Sequence, residues 1–239
     1  MSKTVWFIII VLMPFSFACL KSTSPDVSAR EFSFDFESGS DGWVVGYADY
    51  PANLTQSDSL VLYGMSYGHG LLPATVQPRQ SGIRVRGVNR SDDLFMYLKR
   101  RVTGLAPNTD YTLTMDVDIA SNVASNLIGV GGAPGEGVKL KAGASLNEPV
   151  NVRDGQGWYR MNIDKGNQSV GGFDMSVIGD MAVKDTTTVY TVVRRSMSTP
   201  MKRRTDANGA LWLVVGTDSG FEGLTEVYYA AIRASLQPR

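Results

Sequence analysis

Strict alternation of apolar and polar residues marks several short segments of the chain. Glu31–Phe36 carries three phenylalanines on one face, and Tyr111–Ile119 is apolar at every odd position. Ile83–Arg86 and Val138–Lys141 are shorter versions that place basic side chains on the opposite face, toward solvent. A period of two residues is that of a half-buried β-strand, so each segment is a predicted strand.

Other segments are apolar without interruption and short. Runs of this kind suit central strands that are covered on both faces. They are Leu94–Leu98, Val189–Val193, Leu211–Val215 and Val227–Ile232. Trp212 lies within one of these runs, so we expect it in the core.

Turn-forming residues separate the predicted strands. Pro, Asn, Asp and Gly cluster at Ala106–Thr109, at Asp154–Gly155 and at Asn208–Gly209. No segment has a convincing helical period, and no internal repeat or second linker divides the chain. The pattern therefore predicts one all-β domain over residues 31–239, an antiparallel β-sandwich.

The N-terminus has a different pattern, typical of an export signal. Lys3 precedes an apolar run from Val5 to Met13, which is shorter than the roughly 20 residues that span a bilayer. Residues 1–18 are thus a predicted signal peptide. Residues 19–30 are polar, contain Pro25 and have too little apolar surface to fold alone, so we expect a tether.

The segment Ser16-Phe-Ala-Cys19 resembles the lipobox of bacterial lipoproteins. The resemblance implies that Cys19 is acylated after cleavage and holds the chain on a membrane. Lipoproteins kept in the inner membrane often have Asp at the next position, where this chain has Leu20. The resemblance thus favours the outer membrane, if the organism has one. The alternative is an ordinary signal peptide cleaved near Ala18.

Three segments of the domain resemble jelly-roll carbohydrate-binding modules, which are galactose-binding-like β-sandwiches. Phe34–Trp43 is similar to their first strand and loop, Leu105–Leu113 to a central strand entry, and Val227–Ala234 to their closing strand. The resemblance implies a jelly-roll sandwich and, as function, non-catalytic binding of a glycan or another envelope component.

Those modules often hold a structural calcium between a Glu of the first strand and an Asp of the closing strand. Glu37 matches the first position, but Ala230 and Ala231 stand where the Asp is expected. Calcium takes six to eight oxygen ligands, so further carboxylates are needed. Acidic loops offer them, and Asp218 and Glu222 join Glu37 as predicted calcium ligands, the alternative being that acidic residues in turns hydrogen-bond their own backbone. The other acidic loops are Asp92–Asp93 and Asp164–Asn167.

Glycan recognition uses aromatic faces flanked by polar groups, because a sugar ring stacks on an aromatic ring. The aromatic residues in loop-like or strand-edge contexts are the candidates, although each suits a sandwich core as well. They are Trp43, Tyr47, Tyr50, Tyr63, Tyr67 and Trp158.

Composition excludes several function classes. Lys and Arg total 23 and Asp and Glu total 23, so no net positive charge favours nucleic acid. His69 is the one histidine, which excludes a multi-histidine zinc site. Cys19 is the sole cysteine, so no internal disulfide forms.

Two other features remain open. Asp116 and Asp118 share a strand face at a spacing of about 6.8 Å, which suits a glycosidase pair but also any exposed strand. A basic stretch runs from Arg194 to Arg204, where solvation is the default and contact with an anionic lipid or acidic glycan the alternative. A structural lipoprotein that binds a protein partner is the second hypothesis for function, and a carboxylate hydrolase the third.

Overall fold

The computed structural model describes residues 27–53, 55–184 and 188–239. The predicted signal peptide and Cys19 lie outside the described residues. The domain consists of two antiparallel sheets with one core between them, and a small third sheet lies on top. The prediction of an antiparallel β-sandwich is therefore confirmed.

The first sheet has seven strands. Its path runs β12-β7-β15-β5-β4, while β1 pairs with β15 and β13 pairs with β7. The strands are β1 Arg30–Phe34, β4 Ser66–Leu71, β5 Ser81–Val88, β7 Asp110–Ser121, β12 Thr191–Ser196, β13 Met201–Arg204 and β15 Leu224–Pro238. The strand β1 begins at Arg30, the last residue of the predicted tether.

The second sheet has five strands in the order β11-β8-β14-β6-β2. They are β2 Val44–Ala48, β6 Leu94–Val102, β8 Val138–Ser145, β11 Met175–Asp180 and β14 Leu211–Ser219. The alternating residues of the two sheets meet in one buried cluster, and the predicted Tyr111–Ile119 strand supplies its centre. Every strand of both sheets lies within residues 30–238, so the chain from Ser22 onward contains the whole sandwich.

A third layer covers part of the outer face of the five-stranded sheet. It consists of a small sheet, in the order β3-β10-β9, and of residues 162–174. Its strands are β3 Tyr50–Pro51, β9 Asn151–Arg153 and β10 Trp158–Met161. Phe95 and Tyr97 point outward from β6 and are buried against Ile163 under this layer.

One short helix, α1 Gln56–Leu62, connects β3 to β4. The hydroxyl of Thr55 accepts a hydrogen bond from the backbone N–H of Asp58 at 3.1 Å, which caps its first turn. The sequence analysis missed this helix, because seven residues are too few for a helical period. A Thr with an acidic residue three positions later was the available signal. Within the described residues, no helix is long and apolar enough to cross a membrane.

Three predictions about individual positions were wrong. The segment 189–193 is not a central strand, because β12 lies at the edge of its sheet and is largely exposed. Trp212 is half-buried on the outer face of its sheet rather than in the core, and Lys99 lies over its ring at 5.7 Å. Lys141 was predicted to face solvent but is completely buried.

Candidate functional site

A groove runs along the open edge of the sandwich, between β2 of one sheet and β4 of the other. Two adjoining cavities of about 320 and about 310 Å³ form it, and they share Val44, Val45 and Tyr67. We call it the edge groove. Both strands lie at sheet edges, so no neighbouring strand of the described residues covers this side.

Aromatic side chains line the edge groove. Tyr47 and Tyr50 belong to one cavity, Trp43 and His69 to the other, and Tyr67 to both. Trp43, Tyr47 and Tyr50 are almost completely buried, so they form walls and floor, whereas Tyr67 is 61% exposed. The structure thus brings together four of the predicted aromatic residues.

The buried tyrosines are held by hydrogen bonds. The Tyr47 hydroxyl donates to the backbone oxygen of Arg86 at 3.3 Å, and the Asn151 amide donates to the Tyr50 hydroxyl at 3.3 Å. Burial, and then the neighbouring Tyr67, raises the pKa of Tyr47 far above its usual value. Burial raises the pKa of Tyr97, at the back of the groove, to about 12. All these hydroxyls are neutral near pH 7, so the groove offers hydroxyl dipoles and not phenolate charge.

Polar groups stand beside the aromatic walls. Asn151 and Lys99 line the larger cavity, and the Lys99 ammonium donates to Glu148 at 2.6 Å. His69 is exposed, and its Nε2 lies 2.6 Å from the backbone oxygen of Phe36. The groove therefore combines ring faces with an amide, an ammonium and hydroxyls, which can hydrogen-bond a polyhydroxylated ligand.

The other two predicted aromatic residues lie elsewhere. Trp158 is half-buried on β10, where the Arg160 guanidinium lies over its ring at 4.7 Å. Tyr63 is buried and packs against Tyr50, with 5.9 Å between ring centroids. Neither residue lines the edge groove.

A network of buried charges lies under the third layer, on the covered part of the five-stranded sheet. Asp218 of β14 accepts from the ammonium groups of Lys141 at 2.7 Å and Lys165 at 2.8 Å. Lys165 also lies 2.9 Å from Asp49. Arg160 donates to Asp49 at 2.9 Å and to Asp93 at 3.4 Å. Three carboxylates therefore face three cations, and we call this the charge network.

One member of the charge network is held in its neutral form. Burial, and then the charge of Asp218, raises the pKa of Asp93 from 3.8 to about 8, although Lys165 opposes the shift. Burial lowers the pKa of Lys141, and Asp218 partly offsets this. Burial also acts to lower the pKa of Lys165, but Asp218, Asp49 and Asp93 raise it overall. Protonated Asp93 can donate to Asp218, which orders the network near pH 7.

The predicted calcium ligands are not brought together. In the part of the chain described, the acidic groups close enough to share an ion are Asp49, Asp93 and Asp218, without Glu37 or Glu222. Glu37 accepts from the backbone N–H of Ser81 at 3.2 Å, and Glu222 is exposed. Asp49 and Asp218 already pair with cations and Asp93 is held in its neutral form, so the three groups do not fit a calcium site. Calcium stays a prediction without a matching ligand set.

Of the two carboxylates whose spacing suits a glycosidase, Asp118 is engaged within the fold. Asp118 accepts from Arg194 at 2.6 and 2.9 Å and from Arg233 at 2.8 Å. Burial alone would raise its pKa, but these arginines lower it below the usual value. Asp118 is therefore a paired carboxylate on a strand face. Likewise Glu136, in the glycine-rich segment of residues 129–137, accepts from the Asn126 N–H at 2.8 Å.

Sequence reasoning missed Asp49, Lys141 and Lys165 as a group. The three residues lie far apart in the chain, and their meeting depends on how residues 162–174 fold over the sheet. The signal available was Asp218, a carboxylate in the largely apolar β14, which pairs with β8, where Lys139 and Lys141 lie. An acidic residue in an apolar strand beside a strand that carries lysines indicates a buried ion pair.

No protein-family model matches the sequence, and no curated protein matches it. Similar solved structures include the family 11 carbohydrate-binding module from Clostridium thermocellum. It has 12% identity and a TM-score of 0.40, over 85% of this chain and 94% of that one. The class of module that the sequence resembles is therefore among the structural neighbours.

Two further neighbours have other activities. The K1 cleaved adhesin domain of Lys-gingipain from Porphyromonas gingivalis W83 has 10% identity and a TM-score of 0.41, over 86% of this chain and 97% of that one. A Stig cyclase from Fischerella sp. TAU has 13% identity and a TM-score of 0.39, over 87% and 99%. At these values the similarity concerns the general β-sandwich fold and carries no information on the ligand.

Proposed function

We propose that this protein is an exported, lipid-anchored envelope protein whose β-sandwich binds a glycan in the edge groove without transforming it. The observation that carries the proposal is the exposed ring of Tyr67 over a cavity with aromatic walls. An exposed aromatic ring beside hydrogen-bonding groups is the surface on which a sugar ring stacks.

Binding would combine stacking with hydrogen bonds. A sugar ring on Tyr67 has Asn151 and Lys99 within the same cavity. Lys99 can donate to its hydroxyls, and the Asn151 Oδ1 can accept from them, because the Asn151 amide N–H groups already donate to Tyr47 and Tyr50. The walls of Tyr47 and Tyr50 are fixed by packing and hydrogen bonds, so little ordering is needed on binding. The cavity volumes are in the usual range for sites that take small organic groups, roughly 300–1,000 Å³.

The non-catalytic part of the proposal is supported by the state of the candidate carboxylates. Asp118 is paired with two arginines, and the carboxylates of the charge network are paired with cations. A general acid and base need groups that can reach a substrate and exchange protons with it. These carboxylates are instead engaged in holding strands and loops together.

The main test is binding of the chain from Ser22 onward to an array of neutral oligosaccharides. A bound oligosaccharide should lose about tenfold in affinity with Tyr67→Ala, equivalent to about 1.4 kcal/mol. Ile128→Ala is the matched control, because this side chain is 98% exposed and lies outside the edge groove. Retained affinity in Tyr67→Ala would show that the groove is not the glycan site. If no glycan binds and one protein is captured reproducibly, the result would favour the second hypothesis, a structural lipoprotein that binds a protein partner.

The anchor is tested separately. Residues 20–30 could extend to about 36 Å, so the domain would remain close to the membrane surface. Cys19→Ala should move the protein from the membrane fraction to the soluble fraction. Unchanged fractionation would refute lipidation at Cys19 and leave the groove proposal untouched.

A further inference from the structure

The basic stretch of the sequence is divided by the fold into two groups with different environments. On β12, Arg194 is paired with Asp118, and Arg195 donates to the backbone oxygens of Asp180 and Ala182 and lies 3.6 Å from Asp180. On β13, Lys202 and Arg203 form no ion pair within the residues described. The charges of Arg194 and Arg195 on β12 are therefore offset by nearby acceptors, whereas Lys202 and Arg203 on β13 keep theirs.

Arg203 is a buried cation that neutral groups alone satisfy. Its side chain turns inward, and the residue is 7% exposed. Its guanidinium donates to the backbone oxygens of Ala144 and Lys202, both at 2.6 Å, and to that of Phe173. Carbonyl oxygens accept its hydrogen bonds but do not cancel its charge, and an uncompensated buried charge is costly. Accordingly, burial lowers the pKa of Arg203, although Asp174 partly opposes this.

A pocket of about 340 Å³ opens beside this guanidinium, and we call it the Arg203 pocket. Lys202 and Arg204 lie at its exposed side, and Asp174 is the one acidic residue of its lining. Arg204 lies 3.3 Å from Asp110, but both side chains are more than half exposed, so that pair is weak. The lining therefore has an excess of positive charge.

The pocket also has an apolar wall. Phe173 is 72% exposed and Leu146 is 52% exposed, so both present apolar surface to the pocket. The Arg203 guanidinium lies over the Phe173 ring, 4.8 Å from its centroid, and fixes the orientation of the ring. A cation and an exposed ring face thus stand side by side in one concave site.

We propose that the Arg203 pocket binds an acidic saccharide, with its ring on Phe173 and its anionic group drawn to the positive charges of Arg203 and, at the exposed side of the pocket, of Lys202. The anion supplies the negative charge that the fold does not give to Arg203. In a sugar ring that carries a carboxylate, sulfate or phosphate, the anion matches the cationic side of the pocket and the ring matches its aromatic wall. A recessed guanidinium and an aromatic wall suit such a ring better than a flat lipid surface. The proposal is independent of the edge groove, which shares no lining residue with this pocket.

The test is calorimetric titration of the chain from Ser22 onward with trigalacturonate and with a sulfated heparin disaccharide. Binding of either acidic saccharide is expected, and its affinity should fall when ionic strength is raised from about 0.01 M to about 0.15 M. Lys202→Gln and Phe173→Ala should each weaken it about tenfold, equivalent to about 1.4 kcal/mol. Both side chains are exposed, so both variants should fold, which circular dichroism can verify. Arg153→Gln is the matched control, because Arg153 is an exposed cation on β9 outside the pocket.

Three results would overturn the proposal. The first is no binding of either acidic saccharide. The second is a loss in Lys202→Gln and Phe173→Ala no larger than in the control, which would place binding elsewhere. The third is binding of inorganic sulfate, or of vesicles of phosphatidylcholine and phosphatidylglycerol, as tightly as the saccharides and unaffected by Phe173→Ala. That result would assign the site to anions or lipid headgroups in general. Tyr67→Ala should leave acidic saccharide binding unchanged, which separates this test from that of the groove.

Discussion

The covered face of the five-stranded sheet and the open edge of the sandwich follow opposite rules. Under the third layer, Lys141, Lys165 and Asp218 are buried, and each charge meets an opposite one. At the open edge, the groove is aromatic, and Tyr67 is left exposed. The charged residues, which in a sequence suggest chemistry, therefore hold the layers together. The aromatic residues, which in a sequence suggest a core, form the surface that can take a ligand.

The largest effect that would test this comparison is expected at Lys141. Lys141→Met removes a cation from the buried network and leaves Asp218 undercompensated, which should lower the free energy of unfolding by about 3–5 kcal/mol. Lys139→Met is the control, because Lys139 lies on the same face of β8 but is partly exposed and 3.9 Å from Asp180. Measured by urea unfolding, the free energy of unfolding of the control should fall by at most about 1 kcal/mol. Equal effects in the two variants would mean that the network does not stabilise the fold.

The pH dependence of stability should report Asp93. Its pKa is about 8 in the folded chain and 3.8 without the fold, so the native state binds its proton more tightly. The stability that Asp93 contributes is therefore fully present below its unfolded pKa of 3.8, and it is lost as the pH rises through its folded pKa of about 8. The slope should be at most about 1.4 kcal/mol per pH unit.

Asp93→Asn removes this titration while keeping a group of similar shape. Urea unfolding between about pH 5 and about pH 8 should show a flatter profile for the variant than for the parent chain. Asp154, Asp164 and Asp206 have lowered pKa values, so they titrate below this pH range and do not contribute to the slope that is compared. An unchanged slope in the variant would remove Asp93 as its source.

A smaller effect is expected inside the groove wall. Tyr47→Phe loses one hydrogen bond, from the hydroxyl to the Arg86 backbone oxygen, and keeps the buried ring. The free energy of unfolding should fall by about 0.5–1.5 kcal/mol, the usual net contribution of one such bond. Thermal and urea unfolding measure it. A loss as large as that of Lys141→Met would contradict the contrast between the two regions.

The smallest effect on stability is expected at Tyr67. Its ring is mostly exposed, so Tyr67→Ala should change the free energy of unfolding by less than about 0.5 kcal/mol. The affinity for a glycan in the groove should nevertheless fall about tenfold in this variant. A residue that changes affinity and not stability belongs to a binding surface. Strong destabilisation would instead place Tyr67 in the structural framework.

The sequence predicted much of the fold and part of the groove. Alternation located strands such as Tyr111–Ile119, and glycines and prolines located the turns. The loop and edge positions of Trp43, Tyr47, Tyr50 and Tyr67 selected four aromatic residues that the structure brings together in the edge groove. The sequence did not show that Trp43, Tyr47 and Tyr50 are buried in the groove wall while Tyr67 is exposed, because burial depends on what packs against each ring.

By itself, the sequence determined the class of fold and the face on which each strand residue lies, since a period of two fixes the direction of successive side chains. Only the tertiary structure decided what covers each face. Lys141 points outward from its strand, as alternation predicts, but residues 162–174 fold over it and supply two backbone acceptors. Lys202 points outward from β13 and remains exposed. The same pattern of apolar and basic residues thus gives a structural charge in one place and an exposed one in the other. Long-range packing, which local periodicity does not encode, makes the difference.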